Sequence, residues 1–96
     1  MNTGPEAVEV RPWREGEPEP AYRYFPRVDA PVLSIRTQGR WRPAVVQKRE
    51  DHPDGRVVYG VEITLIIDGM RGTVERRYLW DPATMHPAPA VRGALG

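Results

Sequence analysis

Val57-Val58-Tyr59-Gly60-Val61-Glu62-Ile63-Thr64-Leu65-Ile66-Ile67-Asp68 is the stretch that decides the fold class. Val57, Tyr59, Val61, Ile63, Leu65 and Ile67 share one parity, and Val58, Gly60, Glu62, Thr64, Ile66 and Asp68 share the other. Six apolar residues at period two make a long strand with one buried face. Gly60 interrupts its other face, where a glycine permits a bend or the close approach of another backbone.

On the N-terminal side, Pro53-Asp54-Gly55 supplies turn chemistry: proline presets the first corner and glycine takes the left-handed position after it. Upstream lies Trp41 to Arg49, with Ala44, Val45 and Val46 as its apolar centre, so the two segments form a hairpin. On the C-terminal side, Asp68-Gly69 marks the next turn and Gly72 a second hinge, and Thr73 to Trp80 reads as a further strand. The inward face of that strand is divided. Val74, Tyr78 and Trp80 share a parity with Arg76, whereas Leu79 has the other, which predicts a bulge near Arg76-Arg77. Val32 to Arg36 is a short first strand with Leu33 and Ile35 as core positions. Asp81-Pro82-Ala83-Thr84 predicts one helical turn, with aspartate as cap and proline in the first position. Met85 to Pro87 closes the unit as a last short strand.

Composition divides the chain further. Residues 1–31 hold six of the 11 prolines and, with four arginines against six acids, a net charge of −2. Glu15-Gly16-Glu17-Pro18-Glu19-Pro20 fits neither a helix nor a central strand, so the reading is a proline-rich, largely irregular leader, disordered or extended over residues 1–20. Residues 88–96 read as a flexible tail. The folding unit is then residues 32–87, 56 residues with a net charge of +2. Five short antiparallel strands and one helical turn in that length predict an all-β small barrel, because closure removes exposed edges. The acidic leader is expected to lie against the arginines of this unit.

Gly39-Arg40-Trp41-Arg42-Pro43-Ala44-Val45-Val46, then Val58-Tyr59-Gly60-Val61-Glu62-Ile63, then Tyr78-Leu79-Trp80-Asp81 with Met85-His86-Pro87, resembles the Tudor-type SH3-like barrels. The resemblance covers roughly residues 32–87 and implies a non-catalytic binding module for methylated peptides, partner proteins or nucleic acid. A Tudor cage is built from converging aromatics, and Trp41, Tyr59, Tyr78 and Trp80 are the positions that would supply it. Tyr59 lies on the apolar parity of its strand, so burial competes with that role.

The residues for catalysis are few. Ser34 is the sole serine and Lys48 the sole lysine, and His52 and His86 each precede a proline. A serine nucleophile needs an activating base within hydrogen-bond reach, and none is nearby in sequence. Gly69-Met70-Arg71-Gly72 lacks the lysine and spacing of a phosphate loop. Glu50-Asp51-His52-Pro53-Asp54 offers oxygen and imidazole ligands for a cation, but its turn chemistry favours a solvated hairpin loop. Glu62 and Glu75 are expected to face each other across strands. The expectation is a protein without catalytic residues, cofactor or metal.

Without cysteine there is no disulfide framework or thiolate metal site. No apolar run approaches the roughly 20 residues of a membrane helix, and Met1 to Pro12 lacks a signal-peptide pattern. A cytoplasmic protein that does not bind membranes is therefore expected. The 13 arginines against one lysine reflect in part the coding bias of a GC-rich, bacterial-type genome. Their clustering needs a separate reason. Arg36, Arg40, Arg42, Lys48 and Arg49 surround the first hairpin, and Arg71, Arg76 and Arg77 follow the second turn. Cross-strand ion pairs are the first reading, and a basic face around Trp41 that binds single-stranded nucleic acid is the second. The leading expectation is a small β-barrel module or accessory subunit that recognises a protein or peptide, including a second copy through an edge strand. The alternative is a nucleic-acid-binding barrel. The residues assigned to either role are Arg40, Trp41, Arg42, Tyr59, Arg71, Arg76, Arg77, Tyr78 and Trp80. Tyr22-Arg23-Tyr24-Phe25-Pro26 is expected to fold back over an edge or seam, and the other reading is a linear motif for a partner.

Overall fold

The computed structural model describes residues 4–88, so the expected tail lies, apart from Ala88, outside the described residues. The chain is all-β, with strands β1 (Ala21–Tyr24), β2 (Val32–Thr37), β3 (Arg40–Asp51), β4 (Val57–Ile67), β5 (Met70–Leu79) and β6 (Met85–Pro87). They form one antiparallel sheet in the order β5-β4-β3-β2-β6, with β1 beside the far half of β3. One 3-10 turn, Arg27–Asp29, carries the chain from β1 to β2.

The β2–β3 and β4–β5 hairpins each turn on two residues, Gln38-Gly39 and Asp68-Gly69, at φ 52°, 77° and 53°, 80°. Both central positions are left-handed, as the tightest hairpin turns require, and glycine holds the second of each pair at little steric cost. The Pro53-Asp54-Gly55 segment joins β3 to β4 as the sequence predicts, with the His52 N–H donating to the Arg56 carbonyl at 2.9 Å. Asp81–Thr84 is a single hydrogen-bonded turn. Thr84 N–H donates to the Asp81 carbonyl at 2.9 Å, and the Asp81 carboxylate accepts from Ala83 N–H at 2.9 Å.

The main core lies on one face. Leu33 and Ile35 of β2, Ala44 and Val46 of β3, Val61, Ile63 and Leu65 of β4, Tyr78 of β5 and Met85 of β6 are buried together. Removing an aliphatic side chain of this kind from water stabilises by roughly 1.5–3 kcal/mol. The expected bulge at Arg76-Arg77 is not there: the β4–β5 register runs unbroken from Val58↔Leu79 to Ile67↔Met70. The irregularity lies instead in β3, between Val46 and Lys48. An extra residue at Gln47 turns Lys48 and Glu50 to the reverse face, where they sit opposite Gly60 and Val58.

That reverse face is covered too, which explains why Val58 is fully buried against its strand's alternation and why Leu79 has the parity it has. The cover is the leader. Residues 4–20 form no strand with a range of their own, turn at Glu15-Gly16-Glu17, where Glu17 N–H donates to the Arg14 carbonyl at 3.1 Å, and are hydrogen-bonded to the sheet. Ala7 N–H donates to the Arg36 carbonyl of β2, Leu79 N–H donates to the Val8 carbonyl, and Val10 N–H donates to the Arg77 carbonyl of β5. The Glu6 carboxylate accepts from the Gln38 and Gly39 N–H groups at 3.1 and 2.5 Å, capping the β2–β3 turn. The leader thus bridges from the end of β2, past its pairing with β6, to the outer edge of β5, two strands that do not pair directly. Tyr22 to Tyr24 folds back onto β3 as strand β1, while the Tyr24 ring remains 68% exposed.

Candidate binding site

The expected site residues separate into three groups. Tyr78 belongs to the core, with burial raising its hydroxyl pKa, and so has no surface for a ligand. Tyr59 and Trp80 meet edge to face at 5.9 Å, and the Arg49 guanidinium lies 6.0 Å from the Tyr59 ring centre. Trp41 is elsewhere, 4.6 Å from His86 of β6. Tyr59 also lies directly opposite Tyr78 in the β4–β5 register and packs against the core, so Trp41 alone stands apart, and the four aromatics do not line one cage.

Arg77 and Arg76 are committed within the chain. Arg77 reaches the reverse face opposite Gly60 and donates Nε and Nη2 to the two Glu50 carboxylate oxygens at 2.8 and 2.7 Å. His52 Nε2 lies 3.0 Å and Lys48 Nζ 3.3 Å from the same carboxylate, which is 1% exposed. Burial opposes ionisation of Glu50, but hydrogen bonds from Arg77, His52 and Lys48 and the Arg77 charge outweigh it and hold the carboxyl down to about 2. Hydrogen bonding to Glu50 raises the Arg77 pKa in turn. The solvated-loop reading holds for Asp51 and Asp54, which are exposed and paired with Arg49 and Arg56. It fails for Glu50 and His52, because the bulge and the leader bury them. Among the described residues no group of His, Asp and Glu is placed to hold a metal ion. Arg76 lies 3.5 Å from Glu9, and among the described residues this is the one ion pair between the leader's acids and the arginines of residues 32–87. Glu62 and Glu75 do face each other, with Arg27 and Gln47 as their respective partners.

Arg40, Arg42 and Arg71 form the third group. They line one concavity of about 420 Å³ with Gln38 and Ile66. Among the described residues none of the three has a carboxylate at salt-bridge distance, unlike Arg11, Arg27, Arg49, Arg56, Arg76 and Arg77. The surroundings are fixed. The Gln38 side-chain amide donates to the Ile66 carbonyl at 2.9 Å and accepts from its N–H at 2.8 Å, like one residue of an added strand. Arg42 Nε donates to the Thr37 carbonyl at 3.0 Å, which orients its guanidinium.

The edge of β5 lies beside this concavity. Arg77 and Leu79 turn their backbone groups away from β4 to meet Val10 and Val8, whereas Trp80 N–H donates to Val57 of β4. Backbone groups alternate along a strand, so those of Arg71, Thr73 and Glu75 also point outward. Among the described residues these have no backbone partner on that side. Met70 beside them is 72% exposed, and Ile66 is 42% exposed. The leader leaves the edge at Arg11-Pro12, where proline has no N–H with which to continue a ladder. This arrangement leaves little trace in the sequence. Its one signal is the triplet Val8-Glu9-Val10, an apolar-polar-apolar alternation too short to stand out. No protein-family model, curated protein or solved structure matches the chain.

Proposed function

We propose that the protein is a non-catalytic binding module that takes an extended segment of a protein partner as an added strand on β5. The observation that carries the reading is the outward, unpartnered backbone of Arg71, Thr73 and Glu75, in line with the stretch of the same edge that already holds Val8–Val10. Main-chain hydrogen bonds supply affinity in such docking, and alternate side chains supply specificity. A small curled sheet of the SH3-like kind, with a binding edge and a loop-lined concavity, is compatible with the described strands. A methyl-lysine cage draws no support from a set in which Tyr78 is buried and Trp41 pairs with His86 away from Tyr59 and Trp80.

Nucleic-acid binding is the second reading, favoured by the three arginines without acidic partners around the 420 Å³ concavity. Trp41 and Arg77 do not join that cluster, so the pairing of charge with a stacking platform is incomplete.

The test is Thr73→Pro against binders selected from a displayed random-peptide library. The Thr73 N–H points away from β4, so proline removes an edge donor while leaving the β4–β5 ladder in place. The expected result is a protein that melts like the parent and binds the selected peptides at least about tenfold more weakly. Undiminished binding by a folded Thr73→Pro protein would refute the reading. A gel shift that weakens steeply with salt would replace it with the second.

A further inference from the structure

We infer that the concavity of Arg40, Arg42 and Arg71 receives carboxylates at the C-terminal end of the docked segment, so that the partner is an extended peptide with an acidic C-terminal side. The inference rests on the proposed strand addition to β5 and adds to it a partner chemistry and a direction.

Arg71 joins the two features. Its backbone lies on the free edge and its side chain lines the concavity. Polarity follows from the leader, which already runs antiparallel to β5, with Val8 beside Leu79 and Val10 beside Arg77. A segment continuing that line passes Glu75, then Thr73, and brings its C-terminal residues to Arg71 and the β4–β5 turn. The opposite end of the edge is closed to a ligand, because Val8–Val10 occupies it.

Charge selects the same chemistry. Arg40 and Arg71 have no acidic partner among the described residues, and Arg42 is oriented by two backbone carbonyls, of Thr37 and Gln38. Of the nearby acids, Glu6 is engaged with the N–H groups of Gln38 and Gly39. Guanidinium groups with free N–H donors match carboxylates, which accept two parallel hydrogen bonds. The lining is also partly apolar, through Ile66. This suits the side chains and aliphatic stems of a peptide better than the evenly charged backbone of a nucleic acid.

Three fluorescein-labelled peptides of one length test this by fluorescence anisotropy. Each has the same alternating Val/Thr core, with an Asp-Glu-Asp run at the C-terminal end, the same run at the N-terminal end, or Asn-Gln-Asn at the C-terminal end, and all three are amidated. The expected result is that the C-terminally acidic peptide binds about tenfold more tightly than either other peptide. Arg71→Gln and Arg40→Gln should each reduce that preference. Equal binding of the three peptides would overturn the inference and leave strand addition standing. A preference that survives both substitutions would likewise overturn it. Binding of none of the three would remove the edge reading and the inference together, as would Arg71-dependent binding of an oligothymidylate alone.

Discussion

Glu50→Gln isolates the polar centre on which the reverse face depends. Glu50 is 1% exposed, and its carboxylate receives Arg77, His52 and Lys48 from β5, the β3–β4 loop and β3 itself. The amide keeps the shape but loses the charge, which leaves the Arg77 side chain, 19% exposed, without its counter-ion. Breaking a buried pair on one side costs about 3–5 kcal/mol. The titration of Glu50 leads to a similar figure. A carboxyl held at about 2 against an ordinary 4.5 corresponds to about 3 kcal/mol of stabilisation when ionised. Because the folded pKa is the lower one, this contribution is complete above pH 4.5 and fades as the pH falls through 2. A domain of this size holds roughly 5–10 kcal/mol in all, so the substitution removes a large share of it. Urea titration at pH 7 should show a loss of about 3–5 kcal/mol. The gap between Glu50→Gln and the parent should shrink as the pH drops below 4.5, where the parent carboxyl begins to protonate. A Glu50→Gln protein within about 1 kcal/mol of the parent at pH 7 would refute the reasoning, since a surface pair has that value.

Two further outcomes concern the same face. Gly60→Ala should destabilise by about 1–3 kcal/mol in the same urea assay, because its Cβ would lie 2.8 Å from Cγ of Lys48. Deleting residues 1–12 removes the Val8–Val10 pairing and bares the whole outer edge of β5. Sedimentation velocity should then show stronger concentration-dependent self-association than the full chain shows, as long unprotected edges produce.

The legibility of the sequence followed the range of the interactions. Period-two alternation located β4, and turn residues bounded the hairpins around it, because both signals act between residues close in the chain. The register partner of Glu62 was readable for the same reason, once the Asp68-Gly69 turn was placed. The reverse face was not. Val58, Glu50 and His52 sit at positions that local pattern assigns to solvent, and the bulge in β3 together with the leader, distant in the chain, removes them from it. The bulge escaped notice because Gln47 breaks no alternation visible in β3, where Lys48 and Arg49 read as polar on either parity. Of the nine candidate residues, Arg40, Arg42 and Arg71 came together. Arg76, Arg77 and Tyr78 were drawn instead into ion pairs and the core. Arginine clustering in sequence does not reveal which guanidinium groups find acids in space.

Amide hydrogen exchange along β5, with and without a selected peptide, tests strand addition most directly. Arg71, Thr73 and Glu75 should exchange fast in the free protein, Gly72, Val74 and Arg76 slowly, and the first three should become protected on binding. Protection of all six amides before any peptide is added would show that the edge is already filled. Binding that protects amides elsewhere while Arg71, Thr73 and Glu75 continue to exchange would contradict the account.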